Sequence, residues 1–256
     1  PTSETADVTF SWSKSADAYG NGASSGDGNI SDVLNNNTIN PVQVTYQITM
    51  STATGCSNTQ NVKVTVNPRP VLSSTLTPAA VCSGAAFAYT PESATSGATF
   101  AWSRAAVPGI SNAAATGSGP VSETLTNTTP DPVEVTYLFT TTANGCAGPE
   151  QSVTVTVNPS PTLSSTLTPA EVCSSTPFNY TATSGTVGAT FSWTRAAVTG
   201  ISNAASSGTT GVINETLVNT TQSPVNVTYR IAITANGCTN TEEVVVKINP
   251  QPSAEI

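Results

Sequence analysis

The sequence predicts an all-β protein built as a row of two-sheet sandwiches, each about 90 residues long, strung end to end as a rod. Three observations carry this. Trp12, Trp102 and Trp193 lie 90 and 91 positions apart, and Cys56, Cys146 and Cys238 lie 90 and 92 apart, so one unit recurs. One phrase also occurs three times, from Val42 to Pro70, Val133 to Pro161 and Val225 to Pro252. Within its third copy, Val227, Tyr229, Ile231 and Ile233 alternate with Thr228, Arg230 and Ala232. That period of two turns one face of a strand into a core, and no segment sustains the 3.6-residue period of a helix.

Each copy of the phrase reads as a β-hairpin with a stiff exit. Asn236-Gly237 supplies the left-handed residues of a tight turn, Val244, Val246 and Ile248 return, and Pro250 and Pro252 end the strand because proline cannot donate to a ladder. In chain order, the first unit begins with a strand over Val8–Lys14, in which Phe10, Trp12 and Lys14 share a face. A loop rich in Gly, Ser and Asn then leads to a short strand over 30–34 and to the hairpin. The second unit opens with LSSTLTPA at 72–79, giving a strand over 72–76, then Cys82 and strands over 87–90, 100–104 and 121–125. The third repeats this opening at 163–170 and places strands over 178–181, 191–195 and 213–217. Each complete unit thus has about six or seven strands. The expected units are 1–70, lacking its N-terminal strands, 71–161 and 162–252, with 253–256 as the start of another.

Composition bounds the function. Hydrophobic residues make up 37% and charged residues only 9%, which suits short strands with many turns. The net charge of −8, with no block of like charge, argues against nucleic acid or anionic membrane as a partner. No apolar run approaches the roughly 20 residues of a membrane span. The chain has no histidine, which removes Ser-His-Asp and Cys-His nucleophiles, and neither a phosphate loop nor a zinc spacing occurs. Asp17, Asp27, Asn29 and Asp32 cluster along the first unit's loop, where calcium would want several oxygens, but without EF-hand spacing; a solvated loop is the stronger reading. No cofactor is expected. Asn-x-Thr triplets, such as those at Asn127 and Asn219, are glycan acceptors only in a suitable host.

The charges that remain fall into a pattern. Lys14, Arg104 and Arg195 follow the tryptophan by two positions, and Asp32, Glu123 and Glu215 sit in the middle of a later strand. Arg195 alternates with Phe191 and Trp193, and Glu215 lies between Ile213 and Leu217, so both point inward. An inward charge needs a partner. The expectation is therefore a structural ion pair in every unit: Lys14 with Asp32, Arg104 with Glu123, and Arg195 with Glu215.

Phe-x-Trp, Val-Thr-Tyr, Ala-Asn-Gly-Cys and a Val-rich strand ending in Asn-Pro-x-Pro, in that order, resemble the PKD-like and immunoglobulin-like repeats of large bacterial cell-surface proteins. Such repeats are common in proteins exported by the type IX secretion system, including gliding-motility adhesins. The Trp-Asp-Phe-Gly-Asp-Gly text of ordinary PKD domains is absent, as is the immunoglobulin Tyr-x-Cys. The resemblance implies a non-enzymatic, extracellular stalk or filament segment whose partners are neighbouring repeats and, beyond them, surface glycans or other surface proteins. Alternatives are a polysaccharide-binding accessory module of a secreted enzyme and a self-assembling fibre subunit.

The five cysteines occupy two repeated slots: Cys82 and Cys173 before the second strand, and Cys56, Cys146 and Cys238 after the hairpin turn. This regularity points to disulfides in an oxidising compartment. Two schemes stand open. Bonds within a unit would join Cys82 to Cys146 and Cys173 to Cys238, leaving Cys56 alone. In an immunoglobulin-type sandwich, however, those slots lie at opposite poles, and bonded Cα atoms must approach within roughly 7 Å, which makes a Cys82 to Cys238 bond between units an equal rival.

Overall fold

A computed structural model describes residues 1–252; residues 253–256, expected to open a further unit, lie outside the described residues. All regular elements described are strands. The first unit holds β1 (Val8–Lys14), β2 (Ser24–Asp27), β3 (Val42–Thr52) and β4 (Ser57–Val66), in one sheet of order β2-β1-β3-β4. The second holds β5 (Val81–Cys82), β6 (Ala86–Tyr89), β7 (Thr99–Arg104), β8 (Ala115–Ser118), β9 (Val121–Thr124), β10 (Val133–Ala143), β11 (Cys146–Ala147) and β12 (Gln151–Asn158). Its larger sheet runs β5-β12-β10-β7-β8, with β11 on β10, and β6 pairs with β9 in a second layer. The third holds β13 (Val172–Cys173), β14 (Pro177–Thr181), β15 (Thr190–Arg195), β16 (Ser206–Gly208), β17 (Val212–Thr216), β18 (Val225–Ala235) and β19 (Cys238–Asn249). Its order, β13-β19-β18-β15-β16 faced by β14-β17, repeats that plan.

The hairpins follow the sequence closely. Asn144-Gly145 and Asn236-Gly237 take positive φ at both residues, 51° and 76°, and 50° and 77°, the pair a type I′ turn demands. Along β18 every second residue from Val227 to Ala235 is buried. Facing it, β14 contributes Phe178 and Tyr180 and β17 contributes Ile213, while Leu217 follows β17, so two layers close one apolar core. The second unit closes in the same way around Phe87, Tyr89, Val121 and Leu125.

Four expectations are corrected. No strand forms over 72–76; that segment touches the sheet through single bonds such as Thr154 N–H to Leu76 O, 2.9 Å. No strand forms over 30–34, which meets no pairing strand among the described residues of the kind β6 gives β9. Conversely, β2, β8 and β16 arise where only a loop was expected. Each carries a glycine, Gly26, Gly117 or Gly208, under the indole of Trp12, Trp102 or Trp193, where a Cβ would strike the ring. Lastly, neither disulfide within a unit forms, for the geometric reason given below.

Candidate functional site

Two recurrent polar arrangements stand out: a charge cluster inside each sandwich, and the joint between one unit and the next. In the second unit, β7 ends in Arg104, 2% exposed, beneath the second layer. Its Nε donates to Glu123 Oε2 at 2.9 Å and its Nη2 to Oε1 at 3.0 Å, the two-point grip that a planar guanidinium offers a carboxylate. Nη2 also donates to Ala113 O at 2.7 Å, and the Tyr137 hydroxyl donates to Glu123 Oε2 at 2.6 Å. The third unit reproduces this: Arg195 Nε to Glu215 Oε2 at 2.8 Å, Nη2 to Oε1 at 3.1 Å, Nη2 to Ala204 O at 2.7 Å, and Tyr229 Oη to Glu215 Oε2 at 2.6 Å. Trp193 closes the side of the cluster edge-on to Tyr229, with ring centroids 5.6 Å apart.

The first unit brings Lys14 and Asp32 together less directly, at 3.7 Å. A lysine head is a point charge and aspartate is one methylene shorter than glutamate, so the grip is lost. Lys14 Nζ bonds Gly22 O instead, and Asp32 Oδ2 accepts from Ser24 Oγ and Tyr46 Oη, both at 2.9 Å. Asp17, one of the calcium candidates, accepts from Tyr19 N, Asn21 N and Asn21 Nδ2 and so organises its own loop. No group of three or more His, Cys, Asp or Glu that could hold a metal occurs among the described residues.

These contacts set the charge states. The Arg104 bond, with help from Tyr137 and against burial, holds Glu123 below the usual carboxylate value of 4.5. Burial pushes Glu215 up, but the bonds from Arg195 and Tyr229 more than reverse it, and its net shift is downward. Burial first, then the adjacent carboxylate, pushes Tyr46 from 10.0 up to about 12 and moves Tyr137 and Tyr229 further the same way. Each carboxylate is therefore an ionised acceptor with every strong donor already placed, which suits it to fix two layers together rather than to exchange protons with a substrate.

Stability should consequently fall at both ends of the pH scale. Below 4.5 the unfolded chain protonates its glutamates before the folded one does, so stability is lost as pH drops through the lowered folded values of Glu123 and Glu215. Above 10 the unfolded chain loses tyrosine protons that the folded chain keeps, so stability is lost again as pH rises, from 10 to about 12 for Tyr46. Urea midpoints across the pH range check this. Glu215→Gln should remove the third unit's share of the acid limb.

At the joints, the Asn-Pro-x-Pro exits pack against the following unit. Pro68, Pro70, Pro159 and Pro161 are all buried. Asn67 Nδ2 donates to Asn144 O at 3.0 Å, and Asn158 Nδ2 donates to Asn236 O at 2.8 Å, so the asparagine of one unit's exit holds the hairpin turn of the next. At the second joint Cys82 is bonded to Cys238, with Cα atoms 5.7 Å apart. Cys56, Cys146 and Cys173 are free. Cys82 lies opposite Asn158, at the far end of β12 from the turn that carries Cys146, roughly 23 Å along the strand. That separation forbids a bond within the unit.

Sequence reasoning missed Asn36 and read Asn127 and Asn219 only as the starts of Asn-x-Thr triplets, although the three recur 91 and 92 positions apart. Asn127 Nδ2 reaches Asp131 O at 2.7 Å and Val157 O at 2.8 Å, while its Oδ1 takes Thr129 N at 2.8 Å. Asn219 does the same with Ser223 O, Ile248 O and Thr221 N. Both are buried, so these triplets serve as brackets between a loop and the last strand, and their amides are not free acceptors.

The model of the PKD-like domain family matches residues 1–70, 79–161 and 170–252. No curated protein matches the chain. Among solved structures, a three-domain I-band fragment of titin is similar at 12% identity with a TM-score of 0.42, covering 97% of this chain and 89% of that one. Extracellular domains 3–5 of Drosophila OTK align at 11% identity and a TM-score of 0.34, over 96% and 86%. An endo-fucoidan hydrolase aligns at 14% identity and a TM-score of 0.28, over 98% of this chain but 38% of that one.

Proposed function

Because the chain belongs to the PKD-like domain family over three tandem segments, we propose that it is a non-enzymatic stalk segment of an extracellular, cell-surface adhesin, with units 1–70, 71–161 and 162–252. The observation that carries this reading is the Cys82–Cys238 bond, which spans a joint rather than a core. A bond there adds nothing to the packing inside either sandwich; it ties one sandwich to the next. Such a bond also belongs to an oxidising compartment. The buried prolines and the Asn158 bracket act in the same sense, since X-Pro segments are confined to extended conformations. The inward-pointing charges Arg104, Glu123, Arg195 and Glu215 are engaged with one another, and no helix among the described residues is long and apolar enough to cross a membrane. Gliding motility and type IX export are the setting that the sequence resemblance suggests.

Small-angle scattering tests the stalk. Strands of 11 residues are about 37 Å long, so three units in line give a radius of gyration of about 30 Å, against about 18 Å for a compact chain of this length. A value near the lower figure would overturn the reading.

A further inference from the structure

Both joints are gripped through a backbone carbonyl that belongs to a chemically labile residue. The acceptors of the Asn67 and Asn158 amides are the main-chain oxygens of Asn144 and Asn236, and each of these asparagines is followed by a glycine. Glycine has no Cβ to hinder its own amide nitrogen, so Asn-Gly is the pair in which that nitrogen most readily reaches the preceding side chain. Asn144 and Asn236 are exposed, and neither side-chain amide has a hydrogen-bond partner among the described residues. A third such pair, Asn21-Gly22, differs on both counts. Asn21 is 5% exposed, its Nδ2 donates to Asp17 Oδ2 at 3.0 Å and to Asn35 O at 2.9 Å, and its Oδ1 accepts from Asn35 N at 2.7 Å.

Grip and reaction compete for one rotation. Each turn is closed by a flanking pair, Ala143 opposite Cys146 and Ala235 opposite Cys238, and holds its asparagine at positive φ with the carbonyl aimed at the preceding unit. To bring the glycine nitrogen over the side-chain carbonyl carbon, the asparagine must turn about its Cα–C bond. That turn swings the same main-chain carbonyl away from Asn67 or Asn158, so the bracket and the attack exclude one another.

We propose that Asn144 and Asn236 are sites of spontaneous isoaspartate formation gated by the joints, so that a closed joint protects its turn and a joint held open is altered permanently. In the first step the glycine amide nitrogen attacks the asparagine Cγ: one C–N bond forms, the C–N bond to the side-chain nitrogen breaks, and ammonia leaves carrying the displaced proton. Water then opens the cyclic imide. Opening at the main-chain carbonyl routes the chain through the side chain, one carbon longer, and turns the former acceptor into a free carboxylate. One water is consumed and one ammonia released, and no enzyme or cofactor is needed. The gating depends only on the joints' geometry and holds whether or not the chain serves as a stalk; in a stalk, it makes each joint a record of the time it has spent open.

The test is incubation of the intact chain at mildly alkaline pH, followed by peptide mapping that separates aspartate from isoaspartate products. Asn144 and Asn236 should convert while Asn21 stays intact. Asn67→Ala should speed Asn144 about fivefold, the change in open population expected from losing one hydrogen bond, and leave Asn236 unchanged. Asn158→Ala should do the reverse in the reduced chain. Reducing the Cys82–Cys238 bond in the unaltered chain should speed Asn236 alone, a measurement that needs no substitution. In converted molecules the amides of Leu72 and Leu163, bonded to Gln151 and Glu242 just past each linker, should exchange hydrogen faster. Conversion at Asn21 keeping pace with Asn144, rates indifferent to the variants and to reduction, equal exchange in fresh and converted molecules, or no conversion at all would overturn the proposal.

Discussion

Pulled from its two ends, the oxidised chain should stop extending far short of its full length, and a reductant should release about 500–560 Å more, at 3.3–3.6 Å for each of the 156 residues that separate Cys82 from Cys238. Tension enters at the N-terminus, runs to Cys82, crosses to Cys238 and leaves through β19. Apart from the segment before Cys82 and β19 itself, the second and third sandwiches, with both of their interior ion pairs, lie inside the closed loop and carry no tension in the oxidised chain. The first unit has no such shunt and should unfold first. Single-molecule extension traces with and without reductant measure the difference directly. Equal contour lengths in the two conditions would show that the bond bears no tension.

Arg195→Met should cost the third sandwich about 3–5 kcal/mol, because it strands Glu215 in a part-buried site with only the hydroxyls of Tyr229 and Ser206 to hold it. At a size of about 90 residues that loss lowers the melting temperature by roughly 12 °C or more. Removing both charges, as Arg195→Met with Glu215→Leu, should recover part of it, since an apolar pair of similar volume replaces the ions without leaving either alone. Tyr229→Phe removes one charge-assisted bond and should cost about 1.5–3 kcal/mol. Chemical denaturation of the four chains decides; single variants within about 0.5 kcal/mol of the parent would mean that the cluster is ornamental.

The ion pairs were legible because alternation fixes which way a side chain points: two residues after an inward Trp193, Arg195 must also point inward. The phenol that completes each cluster was not. Tyr137 and Tyr229 sit in a run of apolar positions where their rings alone explain them, and nothing in the text shows where a hydroxyl ends. The outer strands β2, β8 and β16 escaped for a different reason. Their Ser, Gly and Thr carry no apolar period, and what places them is a neighbour's indole, although glycines spaced 91 apart were a usable sign. The stretch 30–34 failed in the opposite sense, with strand-like text but no mate to bond among the described residues. Cysteine pairing was open in the sequence because spacing gives distance along the chain, whereas the choice depended on which end of β12 each thiol occupies.

The placement of Cys82 and Cys146 at opposite ends of one sandwich also fixes an order of events during biogenesis. Cys146 emerges from synthesis well before Cys238, so an unfolded chain meeting an oxidant would cyclise the wrong couple. Once the middle sandwich has folded, its own rigidity keeps those sulfurs apart and holds the first of them in reserve for a later arrival. Maturation therefore proceeds by folding first and cross-linking afterwards, one newly completed neighbour at a time.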